Sequence, residues 1–315
     1  MNSFLTEFVS KSDSTLLTPQ ELTDAIIGRV VANGISIVGL IFNLITNYYV
    51  RTSTTILKKM IVSLCLMDLL FNVVTTLSIF KMQYPILCGF LGFFVFYGYG
   101  GSIAWTCCFA HCLYSTIGQK QSEVDSNEDQ WTRYKYVGFI SPLVISVAAT
   151  AAQYYTVNSE YCWHNSNIGD IDWLDMFLSI IPTILAVTYC FYCYASVIGK
   201  LRQMGMRIYV ELLFYPLILI ICFFPWNIYS IYAIVVKESP PYKLYLISNI
   251  MLSLQGFLNA LAYGLSRTMI KGYKKFCCKK KKKQTEPSLL RPDSKGLFMA
   301  SELGPSILED LSISK

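Results

Sequence analysis

Long apolar stretches broken by short polar ones set the pattern of this chain. A helix needs about 20 apolar residues to cross the hydrocarbon core of a bilayer. Seven stretches reach that length: Ala25 to Tyr49, Met60 to Phe80, Ile86 to Tyr114, Tyr136 to Tyr155, Leu174 to Ile198, Ile208 to Val236 and Leu244 to Leu265. The short connections make consecutive spans antiparallel neighbours. The pattern predicts an all-α membrane protein, a bundle of seven transmembrane helices over residues 25–265 with a short N-terminal segment, 1–24, before it.

Polar residues inside the spans break the pattern in a regular way. The last span contains SLQGFLNALAY, in which Gln255, Asn259 and Tyr263 follow one another at i, i+4 steps and so form one stripe on a helix. Span one contains GLIFNLITN, with Asn43 and Asn47 one turn apart, and span two contains SLCLMDLLFN, with Ser63, Asp68 and Asn72. Polar groups in a bilayer normally face protein or internal water. A shared network among spans one, two and seven is the economical reading; local gluing of helix pairs, at roughly 0.6 kcal/mol each, is the alternative. A carboxylate as deep as Asp68 costs about 2.5 to 3.5 kcal/mol. It must be protonated, paired or beside a cation.

Composition agrees with the pattern: 54% of residues are hydrophobic, 15% are charged, and the mean hydropathy is +0.44. Lys and Arg exceed Asp and Glu by 26 to 20, with a block at Lys279 to Lys283, so the charge does not announce nucleic-acid binding. Its distribution orients the bundle. Arg51, Lys58, Lys59, Lys120, Arg133, Lys135, Lys200, Arg202, Arg207 and every basic residue from Arg267 onward fall on one side. Retention of positive charge inside puts the N-terminus outside and the tail in the cytoplasm. Residues 1–22 lack the pattern of a signal peptide, which leaves the first span to act as the targeting signal. Of the 11 cysteines, Cys88 and Cys162 alone face the oxidising side, and a disulfide between them is the natural pairing, with two unpaired thiols as the alternative.

Several functions fit this poorly. A retinal protein needs a lysine deep in the last span, which has none beyond Lys243 at its edge. A proton relay needs several carboxylates, whereas Asp68 is the single deep one, with Asp175 and Glu211 near span ends. Enzyme motifs are missing: there is no His-Glu-x-x-His, no phosphate loop, and His111 and His164 are the only histidines. The chain reads as no enzyme and needs no cofactor. A transporter built from duplicated halves should show internal repeats, and spans one to three do not resemble spans five to seven. A seven-span small-solute transporter remains the alternative to a receptor.

The motifs resemble those of the G-protein-coupled receptor superfamily. SLCLMDLL is similar to the second-helix motif of rhodopsin-like receptors, with Asp68 at their sodium-site carboxylate; CFFP, Cys222 to Pro225, resembles their C-W-x-P switch; and NALAY, Asn259 to Tyr263, resembles N-P-x-x-Y with Ala260 in place of proline. Span three ends AHCLYS, without Asp-Arg-Tyr, while LQGFLNALAYG and YCW resemble the cyclic-AMP-receptor-like group and, more distantly, the secretin-like receptors. The resemblance implies a plasma-membrane receptor whose partners are an extracellular small-molecule or peptide ligand, membrane lipid and a heterotrimeric G protein. It implies a ligand between the outer halves of spans three to seven, near Tyr97, Trp163, His164, Trp226, Asn227, Tyr229, Tyr232 and Asn249. A conformational switch would use Asn43, Asp68, Pro225, Gln255, Asn259 and Tyr263, with a sodium ion near Asp68 as the one metal implied. After the last span, residues 266–283 form an amphipathic basic segment suited to the inner leaflet, with Cys277 and Cys278 as lipidation candidates, and residues 284–315 a disordered, serine-bearing tail.

Overall fold

The computed structural model describes residues 18–49, 56–79, 85–118, 127–151, 176–203, 214–236 and 241–264, and every element among them is a helix. In chain order these are α1 (Pro19–Tyr49), α2 (Ile56–Ile79), α3 (Pro85–Gly118) and α4, which runs through Asn127–Lys135, a π-helical turn Tyr136–Ile140 and Ser141–Ala151. They continue with α5, a π-helical turn Met176–Ile180 followed by Ile181–Gln203, then α6 (Phe214–Val236) and α7 (Tyr242–Gly264). Six of them contain an apolar stretch long enough to span a membrane, and α6 contributes the shorter apolar stretch Leu217–Tyr232. The result is a seven-helix bundle.

Each helix follows from its local sequence. Thr18, Pro19 and Glu21 open α1 with a capping box: Thr18 donates its backbone N–H and its hydroxyl to the Glu21 carboxylate at 2.9 and 2.8 Å, and the Glu21 N–H donates back to Thr18 Oγ1 at 3.3 Å. Two first-turn N–H groups are thus satisfied, and proline at the first helical position loses nothing. The fourth span differs from the expected start at Tyr136, because α4 begins at Asn127. Hydropathy marks only the lipid-immersed part of a helix; Glu128 and Asp129 in the first turn complement the helix dipole, so the helix begins in the polar zone.

The outer face of the bundle is apolar and buried faces carry polar residues, most clearly on α1. On α1, Val31, Ile35, Val38, Phe42 and Ile45 point outward, while Asn33, Ser36, Leu40, Asn43 and Asn47 are buried. The apolar stripe has hydrocarbon to face, and the polar stripe has only other helices. Similar outward-facing apolar residues occur on α4 (Val144, Val147), α5 (Leu185, Phe191) and α6 (Phe224, Val235).

The helices close into a ring in which α1 packs on α2 and α7, α6 packs on α7, and α3 lies at the centre against α2, α4, α5 and α6. Two glycines set how closely α3 is approached. A Cβ on Gly98 would come within 2.9 Å of the Phe71 backbone nitrogen, so α2 and α3 meet backbone to backbone there. A Cβ on Gly138 would overlap the indole of Trp105, which lies buried against Trp131 and Phe139 with ring centroids 5.7 and 5.0 Å away. The π-helical turn of α4 is therefore seated on a tryptophan of α3.

Candidate functional site

Asp68, buried near the middle of α2, accepts two hydrogen bonds from two other helices. Ser102 of α3 donates its hydroxyl to Oδ1 at 2.6 Å, and Asn259 of α7 donates its side-chain amide to Oδ2 at 2.8 Å. Gln255, one turn before Asn259, donates to Ser102 Oγ at 2.6 Å. Three helices are thereby joined by neutral donors around one carboxylate, and all four side chains are buried. In a low-dielectric interior such bonds are strengthened, and a missing partner is costly.

The structure separates the remaining switch candidates from this centre. Asn43 donates to Cys65 Sγ of α2 at 3.3 Å and receives a bond from Asn47 of its own helix at 3.1 Å, and the carboxylate bonds of Asp68 come from Ser102 and Asn259 instead. The Tyr263 ring packs edge-on against Phe109, centroids 6.2 Å apart. Asn72 spends its amide on the Asp68 backbone carbonyl at 2.7 Å. The oxygens that would face the sodium ion implied by the resemblance are those of the Asp68 carboxylate and the Ser102 hydroxyl.

A second tie joins α1 to α7. Ser36 Oγ donates to the Ser253 carbonyl at 2.5 Å and accepts from the Phe257 N–H at 3.2 Å, and so lies across one i to i+4 step of α7. That step brackets Gln255 and Gly256. Pro225 lies inside α6, where its ring removes one backbone bond. Its own carbonyl lies 2.9 Å from the hydroxyl of Ser248 of α7, which it shares with the Leu244 carbonyl at 2.6 Å, and Asn227 donates to the Phe223 carbonyl at 2.8 Å.

At the end of the bundle opposite the basic residues, Trp226 and Tyr229 stack with centroids 5.5 Å apart, and Tyr229 meets Tyr245 at 5.6 Å. Asn249 turns its amide back onto Tyr245 O at 2.9 Å. Tyr97, half-buried on α3, stacks on Phe93 at 6.3 Å, and Tyr232 is half-buried on α6. Five of the ligand candidates, Trp226, Asn227, Tyr229, Tyr232 and Asn249, thus belong to α6 and α7, with Tyr97 on α3.

The family model described as "7 transmembrane receptor (Secretin family)" matches residues 23–258, which covers all seven helices nearly to the end of α7. The chain belongs to the secretin family of seven-transmembrane receptors. The receptor is also 24% identical over 247 residues to "Cyclic AMP receptor-like protein A" of Dictyostelium discoideum, a match that covers 76% of this chain and 64% of that protein. The chain therefore spans less than two thirds of that relative's length.

For this receptor, Cys162, Trp163, His164, Cys277 and Cys278 lie outside the described residues, and Cys88 is placed in the first turn of α3 without a described side chain. The serines were the residues sequence reasoning missed. Ser36, Ser102 and Ser248 each join two helices, yet a lone serine in an apolar run carries no pattern of its own. One signal was available for Ser36: with Asn33, Leu40, Asn43 and Asn47 it follows a three-four spacing on the buried face of α1.

Proposed function

We propose that this receptor binds an extracellular ligand in the outer half of its bundle and activates a heterotrimeric G protein. The reading is supported above all by the junction at Asp68, where α2, α3 and α7 share hydrogen bonds that a relative movement of the helices must break or exchange. A receptor needs two packings of similar free energy, and a buried network with few alternatives for its polar groups gives discrete states.

In this reading the N-terminus and residues 1–24 are extracellular, the basic end of the bundle faces the cytoplasm, and the protein resides in the plasma membrane. Ligand contact near Trp226 and Tyr229 would act on α6 at Pro225, and the Ser248 tie to its carbonyl would pass the movement to α7. Tyr97, Tyr232, Asn249 and, from the loop before α5, Trp163 and His164 are the further contact candidates. Cys88 and Cys162 would pin that loop to α3. The basic segment 266–283, acylated at Cys277 and Cys278, would lie on the inner leaflet, with 284–315 as a phosphorylatable tail.

The experiment is ligand-dependent nucleotide exchange on a co-expressed G protein, screened against a panel of small amphipathic compounds and peptides. Exchange without solute flux in vesicles supports the receptor reading; flux of a solute without exchange overturns it.

A further inference from the structure

A cavity of about 420 Å³ lies between α3, α4 and α5 at the basic end, far from the aromatic cluster of α6 and α7. Its polar lining comes from His111 and Ser115 of α3, Gln130, Arg133 and Tyr134 of α4, and Tyr189 of α5. The His111 ring nitrogen Nδ1 and the Tyr189 hydroxyl are 2.6 Å apart, which fixes both at its mouth. No acidic side chain is among the described residues that line it. Glu128 and Asp129 precede it on α4 but do not line it. The volume is in the range of small-ligand sites, and the chemistry is that of an anion receptor: a guanidinium, an imidazole, an amide and hydroxyls.

Its position in the fold specifies the kind of anion. Along α4 the lining passes from polar Gln130 and Arg133 to apolar Val137, next to the start of the apolar stretch at Tyr136, and His111, Arg133, Val137 and Tyr189 are all exposed on the outer surface of the bundle. The cavity therefore opens sideways, towards lipid, at the level where headgroups meet acyl chains. Above Val137, Ile140 and Val144 continue the outward apolar face. Lys200 of α5 lies 5.9 Å from the ring of Tyr114, whose own ring centroid is 6.3 Å from that of the cavity residue His111. A soluble anion would have no use for the apolar wall, and an apolar lipid none for the basic one.

We infer that the groove between α3, α4 and α5 binds the anionic headgroup of an inner-leaflet phospholipid, with Arg133 and His111 on the phosphate and the acyl chains along α4. The site rests on the membrane orientation proposed above, and it needs no assumption about the receptor's agonist or G protein. Because α4 and α5 would share one lipid, occupancy would brace the basic ends of both helices against α3.

The test uses purified full-length protein in phosphatidylcholine nanodiscs, titrated with a fluorescent short-chain phosphatidylinositol phosphate. Saturable binding is expected, with phosphatidylcholine of equal chain length and chain-free inositol phosphate both much weaker. Arg133→Gln should weaken binding about fivefold, the loss expected of one basic residue near an anionic surface. Tyr189→Phe, which removes one hydroxyl and keeps the ring, should weaken it less, and both variants should keep the wild-type melting profile. Arg202→Gln, which removes an exposed cation in the last turn of α5 outside the cavity, should leave it unchanged. Equal losses in Arg133→Gln and Arg202→Gln would reduce the effect to general surface charge and overturn the site. Equal binding of inositol phosphate would assign the groove to a soluble anion instead. Either result is independent of any signalling assay.

Discussion

Ser36 of α1 donates its hydroxyl to the Ser253 carbonyl of α7 at 2.5 Å while it accepts the Phe257 N–H at 3.2 Å. A side chain of one helix thus occupies a rung of another, a placement that bends or loosens a helix where it occurs. In Ser36→Ala the hydroxyl is lost, and with it the hydrogen bonds that Ser36 makes to α7. Melting of the purified protein should show a destabilisation of about 1 kcal/mol, the net worth of a typical hydrogen bond. An unchanged midpoint would mean that the contact contributes nothing.

Asp68 and Asn259 are coupled through one direct bond, and Ser102 and Gln255 extend it. Asp68→Asn and Asn259→Ala should each change G-protein activation while the chain still inserts. Their stability effects should depart from additivity by about 0.5 to 3 kcal/mol, as for residues in contact within one network. Strict additivity in the double mutant would break the proposed link.

Gly138 leaves the space that Trp105 fills. Gly138→Ala forces either the indole or the π-helical turn to move and should cost about 1 to 3 kcal/mol, the range for overpacking a close-packed interior. Gly199, with open space around it, is the control: alanine there should change the melting midpoint little.

The Ser248 hydroxyl shares its proton between the Leu244 carbonyl of its own helix at 2.6 Å and the Pro225 carbonyl of α6 at 2.9 Å. Ser248→Ala frees the proline segment from α7 and should raise nucleotide exchange in the absence of ligand. A basal rate equal to wild type, at equal surface expression, would remove this tie from the switch.

Glu21 is half-buried, and its bonds from Thr18, the backbone one first, hold its carboxyl below the ordinary glutamate range. A folded value below the unfolded one means that the cap contributes above the unfolded value of about 4.3 and is lost as pH falls through the folded value. Amide exchange at the start of α1 should therefore accelerate on acidification through that window. Thr18→Ala, which loses the hydroxyl bonds and keeps the backbone one, should exchange faster than wild type at each pH and retain part of the acceleration on acidification.

Much of this was legible in the sequence, for a physical reason. A span must be apolar over its full length because hydrocarbon offers no partner to polar groups, so all seven helices announced themselves, and the Gln255 and Asn259 spacing placed both on one face. The start of α4 was not legible, because a helix that leaves the membrane needs only good termini and no apolar signature. Nor was the division of the polar residues into the Asp68 junction and the Asn43 to Cys65 contact, since the periodicity of one helix says which face is polar and nothing about the neighbour it meets.

By itself, then, the sequence determined the number of spans, the basic end of the bundle, and the polar stripe along α7, each fixed by local hydropathy, charge or helical period. Tertiary structure alone decided that Ser102 stands between Asp68 and Gln255, that Ser36 reaches the α7 backbone, and that a cavity with a basic wall opens beside His111. These depend on the depth and rotation of each helix against its neighbours. That arrangement is set by close approaches such as Gly98 to Phe71 and Gly138 to Trp105, which join residues far apart in the chain.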